Sequence, residues 1–100
     1  MKRKIVFNNS ESLEEWEKTV LRIYNESYAV FLRKRHDYGT ENVNILGLRG
    51  VFVRIWDKAW RLKNLVWENK EPRNESLEDT FIDIMNYCII ALSLMRRGEW

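Results

Sequence analysis

The chain has 100 residues, enough for one domain, and 45% of them are hydrophobic, including five Trp, so a true hydrophobic core is expected. Four Gly and one Pro are too few for an all-β sandwich built on tight turns. The net charge of +2 does not by itself indicate nucleic-acid binding, and no apolar run is long enough to span a bilayer.

The N-terminal residues 1–8 are basic and predict an arm ahead of the folded domain. The apolar run Ile5-Val6-Phe7 is too short for a secretory signal peptide. A single cysteine, Cys88, cannot form an internal disulfide and is expected to be a small buried residue. These features favour a cytoplasmic protein without a membrane anchor.

The first predicted helix begins near Ser10 or Ser12 and runs to about residue 35. Ser12 and Glu15 have the spacing of a capping box, in which two side chains satisfy free backbone amides. Apolar residues then recur at helical spacing, and the last turn is basic. Residues 36–50 contain three glycines and predict a long loop, a kind of segment that is often functional.

Two further helices are predicted, at residues 51–69 and from residue 74 or 76 to about 97, with Gly98 as a stop. The fold class is therefore all-α, a single domain that forms a small bundle of three main helices. A bundle this short is expected to be completed by oligomerisation, as a dimer or a larger assembly.

The third helix carries a stripe of carboxylates, because Glu75, Asp79 and Asp83 are spaced by four residues and share one face. Uncharged Ile90 and Ser93 continue this face, which indicates a partly enclosed space. Bare charge is costly to bury, so the carboxylates need a cation. That cation is either a divalent metal or the basic stripe of the second helix, Arg54, Lys58 and Arg61. The residues expected on the opposite, core side of the third helix are Leu77, Phe81, Ile84, Met85, Cys88 and Leu92.

Three segments together resemble the nucleotide modification associated domain 1 family, found largely in phages and bacteria. They are Asp37-Tyr38-Gly39, residues 50–62 (GVFVRIWDKAWRL) and residues 74–87 (NESLEDTFIDIMNY). More distantly, residues 79–87 resemble the last metal-binding helix of MazG-type nucleotide pyrophosphohydrolases. The resemblance implies a nucleotide ligand, a Mg²⁺ cofactor and, for a phage protein, the host cytoplasm.

By this resemblance, Glu75, Asp79 and Asp83 would hold the metal, and a carboxylate among Asp57, Asp79 and Asp83 would serve catalysis. The residues expected to bind the substrate are Arg54, Lys58, Arg61, Tyr38, Asn86 and Tyr87. The expected reaction is the hydrolysis of a nucleoside triphosphate to a monophosphate and pyrophosphate.

The sequence departs from the MazG pattern, since the helix that should carry a second acidic cluster offers only Asp57. A nucleotide-binding protein without turnover therefore stays open, and Asp57 could equally pair with a neighbouring arginine. A third alternative is a small nucleic-acid-binding protein that uses Lys2, Arg3, Lys4 and the cluster at residues 33–35. The near balance of acidic and basic residues disfavours it.

Overall fold

Three helices make up the fold in a computed structural model of the protein, which describes residues 12–38 and 46–98. Helix α1 spans Leu13–Tyr38, α2 spans Gly47–Leu62 and continues into a π-helical turn at Lys63–Trp67, and α3 spans Leu77–Arg96. No strand occurs within those residues, and the predicted all-α class is confirmed. The predicted arm at residues 1–8 and the segment 39–45, which includes Gly39, lie outside the described residues.

Helix α1 begins at the predicted capping box. The Glu15 amide donates to Ser12 Oγ at 3.2 Å, and the Ser12 amide donates to Glu15 Oε2 at 3.3 Å. The helix continues to Tyr38, past the predicted end at residue 35, because neither Gly nor Pro interrupts it there. Asp37 and Tyr38, predicted in a loop, therefore lie in its last turn.

Helix α2 starts earlier than predicted, at Gly47 instead of residue 51. Gly47 has a φ of +60°, a left-handed conformation that glycine adopts without strain. Gly50 lies in the first turn, where an added Cβ would collide with the side chain of Leu46. Both glycines suggested a loop, but they permit the tight entry into α2.

Helix α3 has the boundaries that the sequence predicts. Ser76 caps its first turn through a reciprocal pair of hydrogen bonds with Asp79, at 3.1 and 3.3 Å. Gly98 follows the last turn with a φ of +70°. This cap gives Asp79 a structural role that its place in the carboxylate stripe did not suggest.

Few apolar side chains are buried among the described residues: Val51, Leu65 and Leu94. The buried polar residues are Ser27, Thr80, Asp83 and Asn86. Helix α3 packs most extensively on α2 and meets α1 at a crossing of small polar residues, where the Asn86 amide donates to the Ser27 carbonyl at 3.1 Å. Thr80, Asp83 and Asn86 of α3 thus face the interior of the chain, whereas Glu75 and Asp79 are exposed.

The predicted core face of α3 is partly wrong. Phe81, Cys88 and Leu92 are exposed, although Leu77, Ile84 and Met85 are half-buried. Helical periodicity identifies faces but does not say which face turns inward when most of the helix is apolar. Over residues 12–38 and 46–98, no helix combines the length and apolar character needed to cross a membrane.

Candidate functional site

A cavity of about 470 Å³ opens between the C-terminal half of α1, the face of α2 and the middle of α3. This volume is within the usual range for small-molecule sites. The residues that line it come from all three helices and the segment before α3: Phe31, Lys34, Arg35, Tyr38, Arg54, Asp57, Lys58, Arg61, Glu75, Asp83, Asn86, Tyr87 and Ile90. Five of them are cationic and three are acidic, so the walls carry an excess of positive charge.

Asp83 is the most buried charged residue of the cavity, with 5% of its surface exposed. Its Oδ1 accepts a hydrogen bond from Lys34 Nζ at 2.7 Å, and its Oδ2 lies 2.9 Å from Lys58 Nζ. Burial alone would raise the pKa of Asp83, but the hydrogen bond from Lys34 and the nearby positive charges of Lys34 and Lys58 outweigh it. The pKa therefore lies below its usual value, and Asp83 is a carboxylate at neutral pH.

Lys58 links α2 to both acids of the cavity, since its ammonium also lies 2.8 Å from Glu75 Oε2. Burial would lower the pKa of Lys58, but the hydrogen bond with Glu75 and the negative charges of Glu75 and Asp83 raise it above its usual value. One turn further along α2, Arg61 donates to Thr80 Oγ1 at 2.9 Å and to the carbonyl of Glu75. These contacts hold the basic face of α2 against the start of α3.

Other charged side chains of the cavity have no ionic partner among the described residues and could contact a ligand. Neither Arg54 nor Asp57 forms a hydrogen bond or ion pair with a described residue, so the alternative in which Asp57 pairs with a neighbouring arginine is wrong. Arg35 lies over the Phe31 ring with its guanidinium carbon 5.6 Å from the centroid. Arg54 and Arg35 thus present cationic groups that carry no counter-ion among the described residues.

The carboxylate stripe does not form a metal cluster in this arrangement. Glu75, Asp79 and Asp83 share a smaller neighbouring cavity of about 340 Å³. Within the part of the chain that the structure describes, however, no three His, Cys, Asp or Glu side chains are grouped to hold a metal ion. Lysine ammonium groups neutralise Asp83 and Glu75, and Asp79 is engaged in the helix cap. These residues do not fit a three-carboxylate Mg²⁺ site as they stand.

Most, but not all, of the residues that the sequence predicted for the site line this cavity. The six expected to bind substrate all line the larger cavity, as do Glu75, Asp57 and Asp83, whereas Asp79 lies outside it. Their roles in binding or catalysis stay predictions.

Sequence reasoning missed the contribution of α1 to this cavity. Lys34 and Arg35 were assigned to a basic helix end or a nucleic-acid cluster, yet both line the cavity with Phe31. Only the long-range pairing of Lys34 with Asp83, 49 residues apart, reveals this role. No local pattern around residues 33–35 indicates it.

The fold and the cavity together define a small all-α protein with a cationic, aromatic-lined cavity. Residues 34–95 match the family described as Nucleotide modification associated domain 1, and the chain belongs to this family. Of the residues that line the cavity, only Phe31 lies outside the match. No curated protein and no solved structure matches the chain.

Proposed function

We propose that the protein binds a nucleotide in the cavity between its three helices. The observation that carries this proposal is the convergence of five cationic side chains with Tyr38 and Tyr87 around a cavity of about 470 Å³. Guanidinium and ammonium groups suit phosphate oxygens, and an aromatic ring can stack on a base. The name of the family supports a role in nucleotide chemistry.

The five cationic side chains of the cavity fall into two groups, according to whether they already contact other residues of the chain. Lys34, Lys58 and Arg61 already hold α3 in place, so they supply a fixed positive field. Arg54 and Arg35 would make the direct contacts to phosphate, since each has its guanidinium free of an acidic partner among the described residues. Tyr38, exposed at the end of α1, would approach the base.

Thermal melting against a panel of ribo- and deoxynucleotides, each with and without Mg²⁺, tests the proposal. A ligand that binds only the folded state raises the melting temperature. We expect a shift with a nucleotide that the nucleoside alone does not give. An absence of any shift across the panel, or an equal shift with single-stranded DNA, would contradict nucleotide binding at this cavity.

Hydrolysis of the bound nucleotide is the second candidate, and it is favoured by Asp57. This exposed carboxylate lines the same cavity as the cations and has no ionic partner among the described residues, so it is a candidate general base. Analysis of the products of any nucleotide that raises the melting temperature separates the candidates. Released pyrophosphate that disappears in Asp57→Asn, with binding retained, would establish turnover; intact nucleotide would leave a binding protein.

A second copy of the chain is the proposed protein partner. Each helix turns large apolar side chains outward, and α3 has no charged residue between Asp83 and Arg96. An uncharged apolar face can meet its own copy without repulsion, as in a two-fold symmetric dimer. The exposed apolar residues on the three helices include Tyr24, Tyr28, Leu32, Phe52, Trp56, Trp60, Phe81, Leu92 and Met95.

A further inference from the structure

The ammonium of Lys58 lies between two carboxylates that approach it from separate points of the chain. Glu75 Oε2 is 2.8 Å from Nζ in the segment before α3, and Asp83 Oδ2 is 2.9 Å from it within α3. Lys58 thus neutralises Glu75 and shares Asp83 with Lys34, whose ammonium contacts the other carboxylate oxygen at 2.7 Å, and it reduces the repulsion between the two acids. A metal ion bound by these two carboxylates would occupy the same position as the Lys58 ammonium.

The Asp83 end of this contact is shielded from water. Asp83 is 5% exposed, and its buried Oδ2 accepts no hydrogen bond of good geometry from the described residues, so the charge of Lys58 is its partner there. The Lys58 side chain is itself 20% exposed. A metal ion entering here would have to displace the ammonium and leave it partly buried without a counter-ion, which is costly.

The spacing of the oxygens also suits an ammonium better than a small divalent ion. The 2.8 Å contact with Glu75 is that of a charge-assisted hydrogen bond, and the 2.9 Å contact with Asp83 is that of an ion pair. Mg²⁺ requires its oxygen ligands at about 2.0–2.1 Å in a near-octahedral arrangement. Both carboxylates would have to close in on a metal ion.

We propose that Lys58 is a built-in counter-cation, which occupies the position between Glu75 and Asp83 that a divalent metal would otherwise take. The wild-type chain therefore leaves this carboxylate pair free of metal. Removal of the ammonium uncovers a divalent-cation site formed by the two acids. The inference concerns the metal alone and holds whichever ligand the cavity binds.

The test is a titration with Mn²⁺, without nucleotide, followed by electron paramagnetic resonance and by calorimetry. It compares the wild type with Lys58→Met, whose side chain keeps a similar length without the charge. We expect Lys58→Met to bind Mn²⁺ at least tenfold more tightly than the wild type, and this gain to disappear in the double variant Lys58→Met/Glu75→Gln. The melting temperature of Lys58→Met should fall without metal and rise again with Mn²⁺.

Lys63→Met is the matched control, because Lys63 pairs with Glu68 at 3.4 Å outside the cavity and should yield no metal site when removed. The inference is overturned if Lys58→Met binds Mn²⁺ no more tightly than the wild type. It is also overturned if the wild type already binds Mn²⁺ at a site that Glu75→Gln removes. The second comparison uses only an exposed substitution and so remains decisive if circular dichroism shows that Lys58→Met does not fold.

Discussion

Asp83 joins all three helices, because Lys34 of α1 and Lys58 of α2 both contact its carboxylate from α3. A buried charge is tolerated only when it is paired, and removal of one partner leaves the other charges unsatisfied. Asp83→Asn is therefore expected to reduce stability as well as to alter the cavity.

The stability that Asp83 contributes should depend on pH. Its pKa in the folded chain lies below the ordinary value of 3.8, so the contribution is complete above that pH and is lost as the pH falls through the folded pKa. The raised pKa of Lys58 adds a contribution that is complete below 10.5 and is lost only as the pH rises through the folded pKa. Between these limits, the ion-pair contribution should be constant.

Urea unfolding of the wild type and Asp83→Asn at pH 7, 5 and 3 tests the predicted loss of the Asp83 contribution to stability at low pH. We expect Asp83→Asn to be less stable by about 2 kcal/mol at pH 7, a moderate value because Lys34 is half-exposed. The difference should persist at pH 5 and shrink at pH 3. Glu26→Gln, at an exposed site on α1, is the control and should change the free energy of unfolding little. A difference that stays constant down to pH 3 would contradict the ion-pair assignment.

The sequence predicted a carboxylate stripe in a partly enclosed space, which holds for Asp83 but not for the exposed Glu75 and Asp79, and it predicted the lysine and arginine stripe of α2 as one source of compensating charge. Both follow from residues three and four apart on a helix, which is local information. The pairing of Asp83 with Lys34 depends on how α1 crosses α3, and no local pattern contains that geometry. The choice between metal and lysine as the counter-charge was left open for the same reason.

At the scale of the elements, the segment before α3 determines how the acids are used. Ser76 and Asp79 close the first turn as a capping box, while Glu75, one residue earlier, contacts Lys58. Two carboxylates of one predicted stripe thus have different roles, because the stripe crosses the start of the helix. A capping box has a recognisable spacing in sequence, but Asp79 fitted both the cap and the metal stripe.

Asp79→Ala tests this division of roles. Loss of the cap should destabilise the protein by about 1 kcal/mol, and the nucleotide-dependent rise in melting temperature should remain. Ser76→Ala, which removes the other half of the capping box, should have a similar effect and serves as the comparison. If Asp79→Ala abolished ligand binding while Ser76→Ala did not, Asp79 would belong to the site.

At the scale of the whole molecule, very few of the apolar side chains in residues 12–38 and 46–98 are buried. Trp56 and Trp60 of α2 are 59% and 56% exposed, and Leu92, expected on the core side of α3, is 54% exposed. Burial of a large apolar side chain contributes about 1.5–3 kcal/mol, so these exposed faces represent stabilisation that a single chain does not obtain. Length and apolar content led to the prediction of self-association, which stays a prediction.

Light scattering coupled to size exclusion should give a mass of twice 12.2 kDa or a larger multiple. Leu92→Glu places a charge on the uncharged outer face of α3 and should shift the mass towards 12.2 kDa with a loss of thermal stability. Glu71→Lys, in the exposed segment between α2 and α3, should leave the mass unchanged. A wild type that elutes as a stable monomer at every concentration would contradict self-association.

The most direct test of the account is a calorimetric titration of the wild type, Arg54→Gln and Arg49→Gln with the nucleotide that gives the largest thermal shift. Both arginines are exposed on α2, but only Arg54 lines the cavity. We predict that Arg54→Gln weakens nucleotide binding about tenfold, because it removes one charged contact to phosphate. Arg49→Gln should bind the nucleotide as tightly as the wild type does. Equal affinities for all three proteins, or equal losses in both variants, would show that the nucleotide does not bind in this cavity.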